Sequence, residues 1–125
     1  MIPYSPLLSP PAPMLNIICR NPYDATKQTE HIAQLDTGCD ITALPSELIS
    51  KLELEPKRAI GIAGLANQSA EVSLYEVQIE IVGVRMDYVE VIEWAGNEIL
   101  LGRDVLNEFY IILDGQMRQF EMRAM

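Results

Sequence analysis

Apolar and polar positions follow one another in short stretches, few of them long enough for an extended helix. Met14, Leu15, Ile17 and Ile18 form an apolar run, and Arg20-Asn21-Pro22-Tyr23-Asp24 reads as a turn. This predicts a first strand ending near Cys19, a loop to about Gln28, and a second strand from roughly Glu30 to Leu35. One short helix is signalled from Pro45. Proline suits a first helical position, Glu47 lies near the positive end of the dipole, and Leu48, Ile49 and Leu52 share a face. Pro56 ends it.

The remainder is β-rich. Ala59 to Ala70 is small and carries Gly61 and Gly64 near its centre, as a hairpin tip requires. From Val72 to Val82 the alternation slips, with Val72 and Leu74 followed by Val77, Ile79 and Ile81. Such a phase change implies either a bulge or a strand that crosses from one sheet to another. Val84, Met86, Tyr88, Ile92 and Trp94 alternate across a turn at Gly83, and Ile99 to Leu101 is the wholly apolar run of a strand buried on both faces. Arg103 to Glu108 fits one or two helical turns. Tyr110 to Leu113, a turn at Asp114-Gly115, and Met117 to Met122 predict a closing hairpin. The five prolines of residues 1–13 predict an extended arm outside the core, leaving one mainly β domain over 14–125 with one or two short helices.

Composition narrows the function. The chain has 125 residues, 49% of them apolar, enough for one domain with a core. With 18 acidic against 9 basic residues the net charge is −9, and no Lys/Arg cluster is present to meet phosphates, which argues against nucleic acid. The opening segment has no basic residue before its apolar stretch and is broken by prolines. It makes a poor export signal and a worse membrane helix. Cys19 and Cys39 are therefore expected to be reduced thiols in the cytoplasm, too few for a metal site. His31 is the only histidine, which removes chemistry built on several imidazoles. No cofactor or metal is called for.

Two segments place special residues where a core strand would otherwise continue. Leu35-Asp36-Thr37-Gly38-Cys39-Asp40 ends a strand in a carboxylate, a hydroxyl and a glycine, which puts Asp36 at a tight turn and leaves the backbone at Gly38 open to close approach. Ile99-Leu100-Leu101-Gly102-Arg103-Asp104 is a buried strand ending in glycine and a charged pair. Asp-Thr-Gly alone is ordinary turn chemistry. With a Gly-bearing hairpin between the two segments, in this order and spacing, the chain from about Pro11 to Glu121 resembles the retropepsin-like aspartic proteases, bacterial single-domain members included.

That resemblance implies a single-lobe acid-protease barrel with a flap hairpin. It implies Asp36 as the catalytic carboxylate and Thr37 as the residue whose hydroxyl locks to its counterpart across a dimer. Gly38 and Asp40 would line the substrate backbone. Gly61 to Ala66 would form the flap, with Ile62, Ala63, Gly64 and Leu65 over the substrate. Arg103 would pair with Asp40 and hold the loop, and Cys39 would be a small packing residue.

Chemistry supplies an independent reason for a homodimer. Hydrolysis by aspartates needs two carboxylates sharing a proton, and this chain has one Asp-Thr-Gly. A two-fold axis between copies supplies the second. The other acids have plainer roles: Asp24 and Asp114 in turns, Asp104 capping the helical turns after it, Asp87 pointing outward. The expectation is a homodimeric endopeptidase acting on extended peptides. The alternative is a dimeric peptide-binding or scaffold module of the same fold with little turnover.

Overall fold

The computed structural model describes residues 1–63 and 69–125. Strands β1 (Ile2–Pro3), β2 (Met14–Asn21), β3 (Asp24–Leu35) and β4 (Ala43–Pro45) precede helix α1 (Ser46–Lys51). Then come β5 (Pro56–Ala63), β6 (Ser69–Ile81), β7 (Val84–Trp94), β8 (Ile99–Leu101), helix α2 (Arg103–Leu106), β9 (Phe109–Asp114) and β10 (Gln119–Ala124). The molecule is mainly β with two short helices, as its patterning predicts.

The larger sheet runs β2-β3-β8-β4-β7-β6-β5, and an additional β2–β6 pairing closes it on itself. β6 makes this possible. It pairs with β5 from Ser69 to Tyr75 and with β2 from Gln78 to Glu80, while β7 lies along its other side. The predicted phase change is therefore a change of neighbour: Leu74 is buried on one face, and Val77, Ile79 and Ile81 on the other. A register shift lies at the same place, where Val77–Ile79 on β6 faces Val89–Met86 on β7. The extra residue is on β7.

The core gathers Ile17 and Cys19 from β2, Leu44 from β4, Leu48, Ile49 and Leu52 around α1, Ile99 and Leu101 from β8, and Phe120 and Met122 from β10. Burying each large side chain contributes about 1.5–3 kcal/mol. Helix α1 forms as predicted, with Pro45 one position earlier than expected, at the N-cap.

Three differences from the sequence reading have physical causes. Asp24 to Thr29 belong to β3 rather than to a loop: they are mostly exposed, so no alternation marks them, and pairing with β2 holds them extended. β4 was not anticipated; three residues carry no period, and it is held by parallel pairing with β7. The opening segment does not lie outside the fold. Ile2 and Pro3 pair with Phe120 and Gln119, Ser5 bridges Ala12, and Ala12 is buried. It forms one edge of a second sheet, β1-β10-β9.

Candidate active site

β3 ends at Leu35 beside Leu101 of β8, and these two parallel strands carry the two glycine-bearing loops side by side. The Asp36 amide donates to the Leu101 carbonyl at 2.9 Å, continuing the pairing one residue past the strand. The chain then turns sharply, with the Cys39 amide donating to Asp36 O at 3.2 Å. Asp36 is half-buried at this turn, whereas Thr37 and Gly38 are exposed.

Both oxygens of the Asp36 carboxylate are held. Gly38 N–H donates to Oδ1 at 3.0 Å, and the Cys39 thiol lies 3.3 Å from Oδ2. A Cβ on residue 38 would sit 3.2 Å from Oδ1, a tight contact to which the carboxylate would have to yield by a few tenths of an ångström. Burial, followed by the hydrogen bond and negative charge of Asp36, pushes the Cys39 thiol up to about 11. Cys19 is fully buried and stands higher still, at about 12, for want of solvent.

Behind the loop is a clamp that the sequence did not reveal. Thr42 is fully buried. Its hydroxyl donates to Asp104 Oδ1 at 2.8 Å and accepts from the Gly102 amide at 3.0 Å. The Thr42 amide donates to Asp104 Oδ2 at 3.2 Å. One threonine thus ties the loop after β3 to the start of α2. Gly102 is required by this packing: a Cβ there would meet Asp104 Oδ1 and the Ile41 carbonyl carbon at 2.9 Å and Thr42 N at 3.0 Å. Asp104 also takes the Val105 amide at 2.9 Å, so the capping role expected of it is the smaller part of what it does.

Arg103 holds the same loop by a different contact from the one expected. Its amide donates to Cys39 O at 2.8 Å and its guanidinium to Thr37 O at 2.7 Å. The ion pairs among the described residues do not include Arg103 with Asp40. The Thr37 carbonyl occupies Nη1 instead, and Asp40 is exposed.

The β5–β6 hairpin is followed as far as Ile62 opposite Ala70 and Ala63 opposite Ser69. Gly64, Leu65 and Ala66 of the expected flap lie outside the described residues. At the base of the hairpin, Arg58 makes a bidentate contact with Glu90 of β7 at 2.9 and 3.0 Å. This hydrogen bonding lowers the Glu90 carboxyl below its ordinary value and raises the guanidinium. Among the described residues no group of three or more His, Cys, Asp or Glu side chains is placed to hold a metal.

A closed β-barrel, two glycine-bearing loops carried side by side by β3 and β8, and the β5–β6 hairpin together define a known architecture. A Rickettsia conorii retropepsin-like aspartic protease superposes with a TM-score of 0.63 at 16% identity, over 95% of this chain and 84% of that one. The chain has the retropepsin-like fold. A simian foamy virus (mac) protease matches with a TM-score of 0.59 at 18% identity, over 76% of this chain and 92% of its own. The EIAV protease, solved with an inhibitor, matches with a TM-score of 0.57 at 22% identity, over 77% and 86%. No family model and no curated protein sequence matches the chain. In this retropepsin-like frame, Asp36 and its two loops stand at the end of β3 and β8. No helix among the described residues is long and apolar enough to cross a membrane.

Proposed function

We propose that the chain is half of an aspartic endopeptidase and that two copies build one active site from two Asp36 carboxylates. The observation that carries this reading is the placement of Asp36. It is a half-buried carboxylate at the end of a core strand, its oxygens met by Gly38 N–H and the Cys39 thiol on a loop clamped from behind. A scaffold has no need to hold a carboxylate in this way.

In the proposed reaction the two carboxylates keep one proton between them, because neighbouring like charges resist both ionising. The ionised partner takes a proton from water, whose oxygen bonds to the peptide carbonyl carbon. The protonated partner donates to the carbonyl oxygen. Collapse breaks the C–N bond, and the proton returned to nitrogen releases the amine. Thr37, exposed beside Asp36, is positioned in this proposal to lock to its counterpart across the two-fold axis. Gly38 and Asp40 would line the substrate backbone, and Ile62, Ala63, Gly64 and Leu65 would cover it. Arg103 supports the loop through Thr37. Both cysteines are free, which fits a reducing compartment such as the cytoplasm.

The test is cleavage of a peptide library by wild type and Asp36→Asn, with mass measured by sedimentation. Cleavage by a dimeric wild type and none by the folded variant is expected. A dimer that binds peptides and cleaves none would favour a peptide-binding module.

A further inference from the structure

A groove of about 480 Å³ opens beside the Asp36 loop. Ile41, one residue before the clamping Thr42, forms one wall, and Ile60, just before the expected flap, another. Met86 and Val89 add apolar surface from β7. It shares Asp104 with the clamp, so the groove is joined to the Asp36 loop through Thr42.

The polar groups at this groove are unbalanced. Glu90, Asp104 and Glu108 contribute three carboxylates, against the single guanidinium of Arg58. That guanidinium is already committed to Glu90 through two hydrogen bonds, so the pair presents little net charge. Asp104 is turned toward Thr42 and Val105. Glu108 remains: it is exposed, and among the described residues its carboxylate makes no hydrogen bond or ion pair. An apolar groove that also carries an unbalanced carboxylate matches a side chain with a long aliphatic stem and a cationic end.

The geometry points to this groove as the subsite for a lysine or arginine side chain of the peptide substrate, with Glu108 as the residue that selects it. The assignment rests on the endopeptidase reading for the identity of the ligand, but the groove and its charge do not depend on Asp36 being catalytic. A carboxylate-bearing side chain would meet like charge here, and a purely aliphatic one would fill the slot and leave Glu108 unpaired.

The experiment uses the full chain and two readouts. A positional-scanning peptide library identifies the position at which wild type favours lysine or arginine. Peptides differing only by lysine or norleucine at that position are then compared by kcat/KM, and by dissociation constant on Asp36→Asn. Lysine is expected to be preferred in both. Glu108→Gln should cut that preference roughly two- to fivefold, as for an exposed ion pair. Glu108→Lys should turn the preference toward glutamate, and added salt should weaken it. Ranked binding without cleavage would overturn the endopeptidase reading and leave the groove assignment standing. Cleavage with no basic preference, or one that neither Glu108 substitution moves, would overturn the groove assignment alone. Absence of both binding and cleavage would overturn both.

Discussion

The Thr42 hydroxyl donates to Asp104 Oδ1 at 2.8 Å while accepting the Gly102 amide at 3.0 Å, joining two loops 60 residues or more apart in sequence. Removing that hydroxyl leaves the buried Gly102 N–H without its acceptor. Thr42→Val, close in shape, should therefore cost about 1–3 kcal/mol in stability, and Thr42→Ser much less. Denaturant titration of the three proteins checks this. Equal midpoints for Val and Thr would show that the clamp contributes nothing.

Gly102 has no room for a side chain, because two of the three nearest obstacles are backbone atoms of the facing loop. Gly102→Ala should destabilise by about 1–3 kcal/mol through overpacking and should loosen the Asp36 loop with it. Thermal unfolding together with amide exchange at Asp36, whose N–H is bonded to Leu101 O, reports both effects. Wild-type exchange at Asp36 in this variant would contradict the coupling.

Arg103 and Asp40 should behave as independent residues. The guanidinium reaches Thr37 O, so Arg103→Ala should free the exposed Thr37 carbonyl and lower activity more than stability. Asp40→Ala should leave the loop in place. A double-mutant cycle measures the coupling directly, and a value near zero is expected for the pair. Coupling on the order of 1 kcal/mol would restore the ion pair that the sequence suggested.

How much of this was legible depends on where the information lies. The apolar Ile99–Leu101 run and the Pro45-led helix each express themselves within one segment and appear where expected, and so does the strand from Val84 to Trp94. Its alternation does not hold throughout: the extra residue between Met86 and Val89 switches faces, leaving Tyr88 exposed and Val91 buried. The position of Asp36 at a tight turn ending a core strand was legible from the carboxylate and glycine that follow Leu35, while its candidate role came from the resemblance. The polar half of β3 was not, since Asp24 to Thr29 have little buried face to alternate with. The opening segment also misled: its prolines forbid a helix and so suggested an arm, but extended chain can dock as an edge strand. Thr42 and Asp104 were missed because their link spans 62 residues. The resemblance implied Asp40 as the partner of Arg103, whereas its guanidinium donates to the Thr37 carbonyl.

The Val82-Gly83 turn offers a stability gain. Both residues have positive φ, 44° and 81°, in the two-residue connection of β6 to β7. A β-branched residue is costly there, and asparagine is favoured. Val82 is exposed, so its side chain is not needed by the core. Val82→Asn should raise stability by about 1 kcal/mol. An unchanged or lowered melting temperature would contradict the turn geometry.

Thiol reactivity reports on the Asp36 contact. With its pKa near 11, Cys39 is almost wholly protonated at neutral pH, and its alkylation should accelerate about tenfold per pH unit through the alkaline range. Replacing Asp36 by Asn removes a negative charge that favours the protonated thiol, so the Cys39 pKa falls and alkylation quickens at fixed pH. Cys19, fully buried, should remain unlabelled in the folded protein. Mass spectrometry of labelled peptides distinguishes the two sites. Equal Cys39 rates in wild type and Asp36→Asn would mean that the thiol and the carboxylate do not meet.

If one site needs the Asp36 of two copies, mixing subunits will poison it. Wild type is held at fixed concentration, Asp36→Asn is added in increasing amount, and peptide cleavage is followed after subunit exchange. Each wild-type chain drawn into a mixed dimer loses its second carboxylate. Activity should therefore fall to about half at equal concentrations and about a tenth at ninefold excess, once chains are fully dimeric. Cleavage that stays at its starting value across the whole titration would show that a single chain carries a complete site.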